Sequence, residues 1–198
     1  MTTSTKSLLI WLSDLNSEVS TERIDAIEHP PVDIDDDKVV SAVIPLLHDL
    51  DDLVRLCAAE TLGLYADPNG LEALRIFVSR ERDPLARAYG LSSIGLIGET
   101  KDIKLLVDGS SRGQHPQVRV HAYRGLFDLV RRYAKEGLLS LVPHDEVQDV
   151  AVLTLSEVLL PRSDDDVLLA LDFYAEREVN PVRRDELAAL LERLRANV

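Results

Sequence analysis

Between residues 54 and 65, the apolar and small side chains Val54, Cys57, Ala58, Thr61, Leu62 and Tyr65 fall at i, i+3, i+4, i+7, i+8 and i+11. That is one stripe of a helix with a 3.6-residue period. The stripe recurs. Arg23, Arg55, Arg87 and Arg119 stand 32 residues apart, and Ala26, Ala58, Gly90 and Ala122 keep step with them. So do Leu62, Ile94 and Leu126, and Val54, Ala86 and Val118. Arg183 follows two periods after Arg119, and Val147, Ala151 and Leu155 repeat the pattern with a 29-residue step. Several columns holding one register mark an internal repeat. Asp51 or Asp52, and Asp83-Pro84, precede stripes as N-cap and first-turn proline, while Asp67-Pro68-Asn69-Gly70 separates two helices.

The pattern predicts about six helix pairs. First members run roughly over 6–15, 36–49, 70–80, 101–110, 136–142 and 165–177, and second members over 20–28, 52–66, 84–97, 116–134, 145–160 and 181–195. The best loops are 28–37 and 109–115, both too short for an interdomain linker, so residues 1–198 read as one elongated domain. No period-2 run bounded by turns occurs, and no strand is predicted. Short helix pairs cannot hide their apolar faces alone and must stack on their neighbours. The Ala58/Gly90/Ala122 column then allows close approach, and Trp11 covers the first core.

The segments Asp52-x-Val54-Arg55-x-x-Ala58-x-x-x-Leu62-Gly63 and Asp83-x-x-x-Arg87…Ile94-Gly95 resemble HEAT repeats, in particular the phycobilisome-lyase-like subset. Pro45 resembles the proline that bends the first helix of such a repeat. The likeness is best over 36–134. It implies an all-α, right-handed α-solenoid with a concave face lined by second helices, and it says more about packing than about function.

Composition narrows the classes. The chain carries 22 Lys+Arg against 35 Asp+Glu, a net charge of −13, with 45% hydrophobic residues. That is ordinary globular composition. Acidity and only 5% aromatics speak against nucleic-acid binding, including the mode of the HEAT-like DNA glycosylases. One cysteine excludes a disulfide framework. The apolar run at residues 7–12 is too short for a signal peptide or a membrane span, so the cytoplasm is the expected compartment.

Candidate chemistry is sparse. His115 and His121 are six apart, not the i, i+4 of a helical zinc pair, and no His-Glu dipeptide occurs. The chain thereby departs from the HEAT-like deoxyhypusine hydroxylases. The Asp33, Asp35, Asp36, Asp37 cluster offers Lys38 and Ile44 where a calcium loop wants Gly and an acid, and reads as a helix-capping loop, as does 164–166. Cys57 falls on the buried stripe, equivalent to Tyr89 and His121, and reads as an inert core thiol. No nucleophile elbow, phosphate loop or dinucleotide fingerprint is present. The Arg column is either an anion-binding ladder or a set of structural bridges to acidic first turns, Asp51 standing four before Arg55 and Asp83 four before Arg87; the structural role is preferred. No catalytic residue, metal or cofactor is assigned.

What remains is surface. The outward columns of the second helices are read as Leu56/Ala88/Val120, Ala59/Leu91/Tyr123 and Glu60/Ser92/Arg124, the apolar ones being either inter-repeat packing or a partner patch. Residues 1–99 hold 8 basic and 18 acidic side chains, a bias that would steer a basic partner. The expected function is therefore a non-catalytic protein–protein scaffold docking a basic protein, for example as a toxin-neutralising immunity protein or adaptor. Its expected contacts are Asp49, Asp51, Asp52 and Glu60, with Tyr123, Arg124, Phe127 and Arg131 as hot-spot types. The alternative, implied by the resemblance, is a bilin lyase or chromophore chaperone that would bind a tetrapyrrole in its groove.

Overall fold

Helix starts are decided by short-range chemistry. Asp51 accepts the Leu53 N–H at 2.9 Å. Asp67 accepts from Asn69 at 2.7 Å and Gly70 at 3.1 Å, and Asp83 from Leu85 at 3.0 Å and Ala86 at 2.8 Å. Each carboxylate satisfies N–H groups that have no partner inside the helix. Pro68 and Pro84 follow two of these caps, where a missing N–H costs nothing. The structure, a computed structural model, describes residues 3–135, 168, 172, 175, 176, 179 and 181–196.

The chain is all-helical, with no strand among the described residues. The helices are α1 (Thr3–Asp14), α2 (Ser20–Glu28), α3 (Asp36–Val43), α4 (Asp52–Leu62), α5 (Pro68–Arg80), α6 (Pro84–Ile97), α7 (Ile103–Gly109) and α8 (Pro116–Lys135), with a C-terminal helix over Pro181–Arg195. The predicted 136–142 and 145–160 helices lie outside the described residues, as does most of 165–177. The predicted 36–49 helix divides: α3 stops at Val43 and the chain continues as a 3-10 segment, Ile44–His48. Pro45 lacks the N–H that an α-helix would use there, so the backbone tightens instead. The predicted 70–80 helix begins two residues earlier because Asp67, not a later residue, is its cap.

Two compact units divide at Gly98/Glu99. In the first, α2, α4 and α6 lie side by side, and α3 with its 3-10 extension and α5 form a second layer behind them. Between the layers sit Val39, Val43, Leu47, Val54, Ala58, Leu62, Leu74, Phe77, Val78, Ala86 and Ile94, all buried. α1 packs on α2 through Trp11, buried as expected, whose indole N–H donates to the Ala26 carbonyl at 2.7 Å. In the second unit α7 packs on α8, and Leu106, Val118, Ala122, Leu126 and Leu129 are buried.

Two glycines mark close approach within the first unit, one of them where α4 ends. A Cβ on Gly63 would stand 2.6 Å from the Ser93 Cβ and 3.0 Å from its Cα. Gly63 has φ −69° and ψ −15°, open to any residue, so space and not conformation excludes a side chain. Gly90 plays the same part between α5 and α6, but there a Cβ would press only on the Val78 and Phe77 side chains, which can turn aside. Gly63→Ala is therefore expected to cost about 1–3 kcal/mol, more than Gly90→Ala, in urea unfolding. Equal stability of Gly63→Ala and wild type would show that α4 and α6 are not held this close.

Candidate functional site

The Arg column resolves into structure at its first two members. Arg23 on α2 donates from Nη2 to Asp49 Oδ1 at 2.8 Å and from Nη1 to the Ser17 carbonyl at 2.7 Å. Its Nε lies 2.8 Å from Oδ2, close enough for charge attraction though not aligned as a hydrogen bond. Arg55 on α4 repeats this one period later. It donates from Nε to Glu81 Oε2 at 2.6 Å, from Nη2 to Oε1 at 3.1 Å, and from Nη1 to the Asp49 carbonyl at 3.0 Å. Each arginine thus reaches back to a carbonyl six residues earlier and forward to an acid 26 residues later.

That acid stands two residues before the next N-cap and accepts its N–H: Asp49 from Asp51 at 2.9 Å, Glu81 from Asp83 at 2.8 Å. Burial alone would raise the Glu81 pKa, but the Arg55 pair and the Asp83 and Arg82 N–H groups outweigh it and hold the carboxyl below its usual range. The local i, i+4 partners Asp51 and Asp83 are not used, because both are engaged as caps. Asp51 is held below the usual carboxylate range by Ser20 and by the Leu53 N–H. The third rung differs: Arg87 donates from Nε to the Val78 carbonyl at 3.1 Å, and the residue 26 positions beyond it is Gly113.

The expected contact residues separate accordingly. Asp49 is consumed by Arg23, and Asp51 is a cap, so of the four acids only Asp52 and Glu60 are exposed side chains. In the second unit, Tyr123 and Phe127 are 1% and 2% exposed, which corrects their placement on an outward column: both belong to the core. Arg124 is partly exposed, and the side chain of Arg131 lies outside the described residues. The columns Leu56/Ala88/Val120 and Ala59/Leu91/Tyr123 are buried throughout, so packing, not a patch, accounts for them. α4 is flanked by α2 and α6 and backed by α5 and the 3-10 segment, so more than one of its stripes is covered.

The exposed face is rotated from the expected one. On α4 and the turn after it, it reads Leu53, Cys57, Glu60, Leu64; on α6 it reads Leu85, Tyr89, Ser92, Leu96. The four leucines are 53%, 74%, 39% and 40% exposed in the order Leu53, Leu64, Leu85, Leu96. Cys57, Tyr89 and Ser92 are half-buried between them, which moves Cys57 and Tyr89 out of the core where the stripe put them. The corresponding positions on α2 are Asp25 and Glu28, both exposed. The signal for this face was present in the 32-residue register, since Leu85 and Leu96 follow Leu53 and Leu64 by one period, although the arginines keep that step over four repeats and the leucines over two.

The Cys57 thiol is held in its protonated form. It donates to Glu28 Oε1 at 3.9 Å, and burial, then the Glu28 and Glu60 charges, push its pKa up to about 11. The thiolate is the reactive form. Iodoacetamide at pH 8 should modify Cys57 at least about tenfold more slowly than a free thiol, allowing for the greater reactivity of a more basic thiolate. Glu28→Gln should recover part of the rate; an unchanged rate would remove Glu28 from the account.

An open pocket of about 320 Å³ lies beside the second rung, lined in part by His48, Asp49, Arg55, Arg80, Glu81 and Arg82. Its acids are already paired with Arg23 and Arg55, and its lining holds no Ser, Thr, Cys, Tyr or Lys. Among the described residues no cluster of three His, Cys, Asp or Glu could hold a metal ion, and no helix is long and apolar enough to cross a membrane. Compared with known proteins, the chain matches no family model and no curated sequence.

Proposed function

We propose that the chain is a right-handed α-solenoid of HEAT-like helix pairs that serves as a non-catalytic scaffold for a basic protein partner. The observation that carries this reading is the exposed face of the α2, α4 and α6 row. Its outward positions hold Asp25, Glu28 and Glu60 and no Lys or Arg, within a half of the chain where acids outnumber bases by 18 to 8. Such a field raises the encounter rate with a cationic partner and loses effect as salt screens it. The two repeated Arg rungs support the solenoid, since each ties one hairpin to the next with the same groups at the same spacing.

Affinity capture from a native lysate tests the reading. Proteins of high isoelectric point should be retained, with recovery falling at least about tenfold in the Glu28→Lys/Glu60→Lys variant and between 0.05 and 0.5 M salt. Recovery indifferent to both changes would defeat it.

A further inference from the structure

Four leucines share one exposed face. Single exposed leucines are ordinary on a protein surface, but a contiguous group is not. Leu53 and Leu64 lie 11 residues apart, three helical turns or about 16 Å, and Leu85 and Leu96 repeat that spacing on the neighbouring helix. Adjacent packed helices run about 8–10 Å apart, so the leucines stand at the corners of a patch two helices wide and three turns long. Cys57, Tyr89 and Ser92, less exposed, lie mid-stripe between them, and Glu60 is the exposed residue among them.

One long side of the patch is acidic. Asp25 and Glu28 on α2 occupy the register positions of Cys57 and Glu60, and Glu28 reaches across to the Cys57 thiol at 3.9 Å. Glu60 itself stands among the leucines. The face therefore carries its leucines over α4 and α6, and its acids at Glu60 and along α2.

We infer that the partner's docking element is an amphipathic helix of three to four turns, its apolar stripe seated on Leu53, Leu64, Leu85 and Leu96 and its lysines or arginines turned toward Asp25, Glu28 and Glu60. This rests on the basic-partner reading above and names the element that makes contact. The length of the patch matches a helix with apolar residues at i, i+4, i+7 and i+11, the pattern by which such helices enter grooves. A second copy of this chain fits less well, because the same face carries no Lys or Arg to meet Asp25, Glu28 and Glu60.

The probe is a labelled 18-residue helical peptide with leucines at i, i+4, i+7 and i+11 and lysines along one flank, followed by fluorescence anisotropy at 50 mM salt. Two controls are a peptide of identical composition with the leucines scattered around the helix, and one with glutamate replacing the flanking lysines. The patterned peptide should bind saturably, slow Cys57 alkylation, and lose at least about tenfold in affinity on Leu53→Ser/Leu64→Ser, since burying one leucine is worth about a decade or more. Both leucines are exposed, so urea unfolding of that variant should match wild type. No binding by the patterned peptide overturns the inference. Equal binding of the scattered peptide, or indifference to the leucine change, also overturns it, and leaves the basic-partner reading standing if Glu28→Lys/Glu60→Lys still weakens binding. Equal binding of the glutamate-flanked peptide overturns both. Self-association lost in Leu53→Ser/Leu64→Ser overturns it in favour of a second copy.

Discussion

Arg55→Ala is expected to lower the unfolding free energy by about 3 kcal/mol at pH 7, within the range for breaking a buried pair from one side. The side chains of Arg55 and Glu81 are 18% and 6% exposed. Removing the guanidinium leaves the Glu81 carboxylate desolvated with only the Arg82 and Asp83 N–H groups, each at 2.8 Å, to hold its charge. Two further results identify the cause. Arg55→Leu/Glu81→Gln should recover part of the loss, since the amide oxygen still accepts those N–H groups and no charge is buried alone. The deficit of Arg55→Ala should also shrink on acidification. In the wild type Glu81 has a lowered pKa, so its contribution is present above the unfolded value and lost as pH falls through the folded one. In the variant, burial dominates and the carboxyl takes up a proton earlier. A loss under 1 kcal/mol, independent of pH, would mean the rung is ornamental.

Acid should destabilise the second unit as the pH falls below about 6.5. His121 on α8 is 5% exposed, and burial, then the Arg124 charge, lower its pKa to about 4. The neutral ring belongs to the folded state, while the unfolded chain takes up its proton near pH 6.5. The contribution of His121 is therefore complete above pH 6.5 and is lost progressively between about 6.5 and 4, to a total of up to about 3 kcal/mol. Urea unfolding at pH 7.0, 6.0 and 5.0 reads the slope, and His121→Gln should flatten it. His29, His48 and His115 are exposed. A slope that survives in His121→Gln would assign the acid limb elsewhere.

The helices of the row were legible because their causes are local. Aspartate caps, prolines at first positions and a stripe at helical spacing act within a few residues, and α2, α6 and the C-terminal helix coincide with their predicted ranges. Even the switch at Pro45 is a local consequence of a missing donor. The candidate site was legible only in outline. Glu60 was named correctly as an exposed acid, whereas Tyr123 and Phe127 were placed on a surface that packing had already claimed. A single stripe tells which side of a helix is buried first, not how much more its neighbours cover.

The amino-acid order determined by itself that the chain is helical and that an arginine and a small residue recur every 32 residues from Arg23 to Ala122, with two apolar columns from Val54 to Leu126. Tertiary packing decided what those arginines hold. Asp51, four residues before Arg55, was already spent on a helix N-terminus, and Arg23 has Val19 at that position, so the charges of Arg55 and Arg23 turned to Glu81 and Asp49, each 26 residues on. Packing decided the outward face as well. With neighbours on both sides of α4, Leu56 and Ala59 went inside, and Leu53, Glu60 and Leu64 were left to meet solvent and whatever binds there.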